Sequence, residues 1–325
     1  MDSFYRKVYL RSWQIIKNNW YVLFFGLFVS ALGLTGDFKV LSNLETSDIV
    51  STTLLDWLNI FQTFATADMT WDKMPTLVML LGTFLFFAVI LVMAISSQGA
   101  LIKATANGDK KNDKNNLVYN LQAGVEKFWP LFGMNVLNKL ISFVFIVGVV
   151  VPIIYLLSFS QSASLINLII AIIVFFVLIP LAVIISFVTR YGASYIILKN
   201  QSVTQAFFNA WRLFRVNWII SLENALALLV FTLVYTIALI SALAFIITPF
   251  LILGYIVAQI SALGFWLLLI VGSLAAILLF LAAVSFFGAY YTIVWTEVFI
   301  RLTSRGKNES KAHRLAKKHL PRLAK

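Results

Sequence analysis

Five polar residues lie inside or at the ends of long apolar runs: Asn135, Lys139, Arg190, Glu223 and Asn224. Polar groups at such depth are costly in a membrane and are the first place to look for function. The set combines two cations, one carboxylate and two amides. It could hold a phosphate headgroup or a small polar ligand, or pass protons or ions. It could equally be helix glue: a Lys–Glu or Arg–Glu bridge with amide hydrogen bonds, Lys139 reaching the surface on its long stem. The set is not catalytic. The chain has no Cys, its two His are His313 and His319, and no apolar run carries paired carboxylates. Acid–base and metal chemistry therefore have no usual carriers, and the sequence predicts no enzyme, cofactor or metal centre.

These residues need elements to position them, and composition says which. Of 325 residues, 61% are hydrophobic and 12% charged. Soluble domains carry about 25% charged residues, so the solvent for this surface is lipid. Six apolar runs approach the ~20 residues of a transmembrane helix, at 20–34, 74–96, 131–157, 165–188, 219–247 and 265–288. Lys and Arg number four in 1–19, five in 97–130, four in 189–218 and nine from Arg301 onward, whereas 36–73 has two Lys against six Asp/Glu. By the positive-inside rule both termini face the cytoplasm. A secretory leader ending near Val29-Ser30-Ala31 is the competing reading of the N-terminal segment. The repeats argue against it.

The phrase SWQIIKNNW at 12–20 returns as AWRLFRVNW at 210–218. In the first, Tyr5, Val8, Tyr9, Trp13, Ile16 and Trp20 make one helical stripe, with Arg6, Lys7, Arg11 and Lys17 opposite. In the second, Val203, Ala206, Phe207, Ala210, Trp211, Phe214 and Trp218 do so, opposite Arg212 and Arg215. A fainter copy runs through Leu117, Val118, Leu121, Val125 and Trp129. Such stripes predict amphipathic elbow helices in the membrane interface, with Trp13, Trp20, Trp129, Trp211 and Trp218 as headgroup-level anchors. Ser202 and Gln205 have the spacing of a capping box. Gly–Ala steps at 99–100, 192–193 and 288–289 close each returning run. Six residues past the elbow Trp stand Gly26, Asn135 and Asn224. The chain thus reads as one all-α membrane domain of three parallel two-helix units, 3–111, 112–201 and 202–302, with a basic tail over 303–325. Parallel units imply a pseudo-threefold axis along the membrane normal.

The elbow, the block RYGASYIILKNQSVTQAFFNAWRLFRVNW at 190–218 and the six runs resemble the membrane domain of bacterial glycerophosphoryl diester phosphodiesterases. Relatives of that kind append a soluble catalytic barrel. No stretch here is long enough or rich enough in His and acidic residues to be one, so the resemblance implies the membrane part without the catalysis.

Several details complete the expectation. Val50, Leu54, Trp57, Leu58, Phe61 and Phe64 form a cation-free stripe suited to lie across the outer end of the bundle, as cover or lid. Pro180 is central enough to kink its helix, and 249–264 reads as a shallow or re-entrant piece. Glu297 and Arg301, four apart, read as a surface pair. The tail suits anionic membrane and lacks the aromatic or glycine context of a nucleic-acid binder. The expected protein is a non-enzymatic, multi-pass component of a bacterial inner membrane. It organises anionic lipid or a membrane-protein partner and binds no nucleic acid. The competing reading is a small transporter or channel for a polar or anionic solute.

Overall fold

The structure is a computed structural model and describes residues 4–31, 74–108, 116–145 and 165–304. The stripe at 50–64 and the basic tail lie outside the described residues. All regular secondary structure among the described residues is helical: α1 Phe4–Asn18, α2 Val22–Ala31, α3 Met74–Asn107, α4 Leu117–Glu126, α5 Phe128–Phe145, α6 Leu165–Lys199, α7 Val203–Val216, α8 Trp218–Ala258 and α9 Ala262–Ser304. Among the described residues, four stretches are long and apolar enough to cross a membrane: Leu81–Asn107, Pro180–Lys199, Trp218–Ala258 and Ala262–Ser304. The chain is therefore an all-helical membrane protein. The remaining two expected runs coincide in part with α2 and α5, and 32–34 and 146–157 lie outside the described residues.

The repeated phrase has a local cause. The Asn19 amide nitrogen donates to the Ile15 carbonyl at 3.0 Å, and Asn217 donates to Leu213 at 3.1 Å. Each side chain adds a second bond to a last-turn carbonyl that also accepts from the backbone N–H of the same Asn, which reinforces the end of the elbow helix. The chain then turns at once into α2 or α8, with Trp20 and Trp218 at the bend. The buried faces also correspond: Val8, Ser12 and Ile16 on α1, and Ala206, Ala210 and Phe214 on α7.

The fainter third elbow packs on the bundle by a face other than its apolar stripe. On α4, Val118 and Val125 are exposed, while Asn120 and Gly124 are buried. Small size, not hydropathy, selects the packed face. A Cβ on Gly124 would lie 3.0 Å from the Ala100 amide nitrogen and closer still to the Ser96 carbonyl. The capping box is also absent. Ser202 occupies the N-cap position of α7 but makes no side-chain cap bond, its hydroxyl lying 3.5 Å from Thr204 instead. On α4, Asn116 caps in the ordinary way, accepting from the Tyr119 N–H at 3.0 Å.

The segment expected to be shallow or re-entrant is instead the end of one long helix and the turn into the next. Helix α8 runs through Pro249 to Ala258, and a turn at 259–261 leads into α9. An apolar segment has no water to satisfy an opened backbone, so continuing the helix past one missing N–H is the cheaper arrangement. Pro180 likewise sits inside unbroken α6.

Two compact units account for the described residues. The larger comprises 4–31, 94–108, 116–138 and 187–304; the smaller comprises 74–93, 139–145 and 165–186. The larger holds the core: Phe25, Leu101, Leu131, Met134, Phe187, Tyr191, Ile196, Ile293 and Phe299 are all buried. Glycine makes its close crossings possible. Gly26 of α2 meets α9 so closely that an added Cβ would sit 2.7 Å from the Ala289 amide nitrogen. In lipid, helices associate by such close packing because there is no water to expel between them. Helices α8 and α9 form an antiparallel hairpin, with the Tyr235 hydroxyl donating to the Ala283 carbonyl at 2.8 Å and Phe231 stacked on Phe287. Exposed large apolar side chains line α8 from Leu222 to Ile256. In the smaller unit, Val78, Met79, Phe84, Leu85, Phe86, Phe87, Leu140, Phe143 and Val144 are likewise exposed.

Candidate functional site

The polar residues singled out above enter three sets of contacts. In the first, α1 reaches α8. Tyr5 and Tyr9 lie one turn apart on α1; Glu223 and Asn224 are adjacent on α8. The Tyr5 hydroxyl donates to the Glu223 carboxylate, and the Tyr9 hydroxyl donates to Asn224 Oδ1 at 3.0 Å. Burial pushes the Tyr9 phenol above its ordinary pKa, with Tyr290 adding to the shift. Tyr9 therefore stays a neutral donor at physiological pH. Asn224 is fully buried, and its Nδ2 makes no hydrogen bond.

Tyr9→Phe removes the one bond shown for the Asn224 side chain. Stranding a buried acceptor costs about 1–3 kcal/mol, so the thermal midpoint should fall. Tyr9→Phe/Asn224→Leu, which removes both polar partners, should recover much of that loss. A double variant no better than Tyr9→Phe would show that the bond contributes nothing.

In the second set, Asn135 of α5 donates to Gln98 Oε1 of α3 and to the Leu131 carbonyl, both at 2.9 Å. Both amide side chains are buried. In the third, the Arg190 guanidinium of α6 lies over two rings of α9, 4.6 Å from the Tyr291 centroid and 5.6 Å from that of Trp295. Aromatic faces carry partial negative charge and hold a cation where water is scarce.

The second and third sets converge on one cavity of about 20 Å³, walled by Gln98, Arg190, Ser194, Thr292, Trp295 and Thr296, with Val29 and Ile102 as its apolar side. That is room for roughly one water-sized group. Asn135 and Arg190 thus meet around Gln98. Glu223 and Asn224 engage the α1 tyrosines. Lys139 is exposed and belongs to the smaller unit. Sequence reasoning missed Gln98, Tyr5, Tyr9 and Trp295 as polar participants. Two signals were available: Gln98 directly precedes a Gly–Ala step, and Tyr5 and Tyr9 share a helical face.

Glu297 is not part of a surface pair. It is fully buried, and its Oε1 accepts from Arg301 Nε at 2.7 Å and from Arg11 NH1 at 3.3 Å. The i,i+4 pair is real, but α1 covers it and brings a second guanidinium. The aromatic anchors face outward: Trp13, Trp20, Trp129, Trp211 and Trp218 are between 40% and 79% exposed. Arg6, Lys7, Lys17, Arg212 and Arg215 are exposed on the same elbow helices.

Among the described residues, no three His, Cys, Asp or Glu side chains gather closely enough to hold a metal. No family model, curated protein or solved structure matches the chain.

Proposed function

We propose that the chain is a non-enzymatic protein of a bacterial inner membrane, both termini cytoplasmic, that organises anionic lipid around a platform of amphipathic elbows. The observation that carries this reading is the outward presentation of all five elbow tryptophans, with exposed cations on α1 and α7. Trp at the headgroup level and Lys or Arg toward anionic headgroups make an interfacial binding surface. The buried faces of α1, α4 and α7 hold that surface on the bundle, since Ser12, Gly124 and Ala210 allow close approach.

The reading includes three units arranged as a ring. Three contacts support it, each joining the start of one outgoing helix to the Gly–Ala end of a returning one. Gly26 of α2 approaches Ala289 of α9. Asn135 of α5 bonds Gln98 of α3. Ser221 of α8 bonds Tyr191 of α6 at 2.8 Å. The resemblance to membrane domains of phosphodiesterases fits the same reading, with lipid as the nearest chemistry and the chain itself non-catalytic.

The test is lipid retention. Protein extracted gently from mixed phosphatidylglycerol/phosphatidylcholine membranes should carry phosphatidylglycerol in native mass spectra. The variant Trp20→Ala/Trp129→Ala/Trp218→Ala should lose most of it while remaining folded. Equal retention of both lipids by both proteins would sink the proposal. The second reading, a small transporter or channel for a polar or anionic solute, is favoured by the cavity where α3, α6 and α9 meet. Solute flux into proteoliposomes, reduced in Arg190→Gln, is what it requires.

A further inference from the structure

Trp295 carries a buried donor without an acceptor. Its ring is 3% exposed, and its Nε1 makes no hydrogen bond. An indole N–H can only donate, and a buried donor without a partner costs free energy. Trp295 lines the cavity described above. The other walls have the same polarity. Arg190 is a permanent cation. Gln98 is 7% exposed and its Oε1 already accepts from Asn135, so what it chiefly offers the cavity is its NH₂. The hydroxyls of Ser194 and Thr296 bond back to the carbonyls of Arg190 and Thr292 and can rotate toward an acceptor. None of the lining residues is acidic.

We infer that this cavity binds one anionic group, a halide or a single phosphate oxygen, through Arg190, Trp295 and Gln98. A cation is repelled by the guanidinium. A bulky neutral solute does not fit about 20 Å³. An anion supplies the acceptor that the indole N–H and the amide NH₂ lack, and charge-assisted bonds of this kind are the strong ones. The Tyr291 and Trp295 faces hold the Arg190 head in place, so the site is preformed. The inference is independent of the lipid-organising role, because the site lies in the core and the anchors lie on the surface.

The test uses the full chain in phosphatidylcholine nanodiscs. Its thermal midpoint is followed while sodium bromide or sodium phosphate replaces sodium gluconate at constant ionic strength. The wild type should show a saturable rise with at least one of the two anions. Arg190→Gln and Trp295→Phe should each raise the half-saturating concentration at least tenfold. Trp295→Phe deletes an N–H that bonds nothing in the anion-free protein and keeps an aromatic ring in the core. Its own midpoint in gluconate is the baseline for its anion response, so any cost of the smaller ring does not enter the comparison. This variant keeps the test decisive if Arg190→Gln does not fold. Trp20→Ala/Trp129→Ala/Trp218→Ala should leave the anion response unchanged, which separates this site from the interface anchors. A wild type that ignores both anions but retains one phosphatidylglycerol, lost in Trp295→Phe, would make a lipid phosphate the occupant. No response and no such lipid, or responses unaltered in Trp295→Phe, would overturn the inference and leave the cavity to water.

Discussion

Gly26→Ala and Gly288→Ala should each prevent recovery of monodisperse, folded protein from detergent. Ordinarily the change would help, since alanine is favoured over glycine in a helix interior by about 1 kcal/mol. Here the new methyl at position 26 would meet the Ala289 amide nitrogen and the Ser285 carbonyl, and the one at 288 would meet the carbonyl of Gly26 and the Ser30 hydroxyl. At both positions the methyl collides with backbone atoms, which cannot yield as a side chain can. Overpacking costs about 1–3 kcal/mol where side chains can shift; a backbone collision belongs above that range. Gly82→Ala is the control, because a Cβ there meets nothing within 4 Å. It should leave the thermal midpoint unchanged or slightly raised. A Gly26→Ala protein as stable as Gly82→Ala would falsify the close α2–α9 crossing.

Glu297→Gln should lower stability by less than that and should free the N-terminal helix. The carboxylate is fully buried between Arg11 of α1 and Arg301 of its own helix. Removing one member of a buried ion pair costs about 3–5 kcal/mol. Arg11 and Arg301 keep 28% and 21% of their side chains exposed, so water offsets part of the loss. A net cost of about 2 kcal/mol is the expected result. Limited trypsin digestion gives the second readout: cleavage after Arg6, Lys7, Arg11 or Lys17 should accelerate in Glu297→Gln and Arg11→Ala, and much less in Arg301→Ala. Equal protection of the N-terminal helix in all three would show that α1 is held by its other contacts alone, the Tyr5 and Tyr9 bonds among them.

The helices were legible because apolar length and charge placement are local properties. The likeness of the phrases at 12–20 and 210–218 is visible in the sequence; that Asn19 and Asn217 each bond back to a last-turn carbonyl is seen only in the structure. What was hidden depended on partners distant in sequence. Glu297 and Arg301 look like a solvent-facing pair until α1, 286 residues away in sequence from Glu297, brings Arg11 over them. The face that α4 buries, Asn120 and Gly124, looks polar by hydropathy, because its virtue is smallness. Pro249 reads as a break only in a medium where an opened backbone finds water. Of the proposed cluster, Asn135, Arg190, Glu223 and Asn224 enter separate sets of contacts, set by partners that lie far off in sequence. Asn135 bonds Gln98, which lines the same cavity as Arg190, and Gln98 has no sequence signal beyond its neighbour Gly99.

The α8–α9 hairpin has a consequence for where the protein can reside. The exposed apolar face from Leu222 to Ile256 covers about 51 Å at 1.5 Å per residue. A hydrocarbon core is about 30 Å thick. A tilt of about 40°, the upper end of the usual range, would shorten its projection to roughly 39 Å. The excess is a hydrophobic mismatch. It makes bilayer thickness a determinant of this protein's stability. Longer-chain lipids should cover the face and favour the dispersed monomer. Shorter-chain lipids should leave apolar surface uncovered near the 259–261 turn, and copies of the protein should then cluster to shield one another.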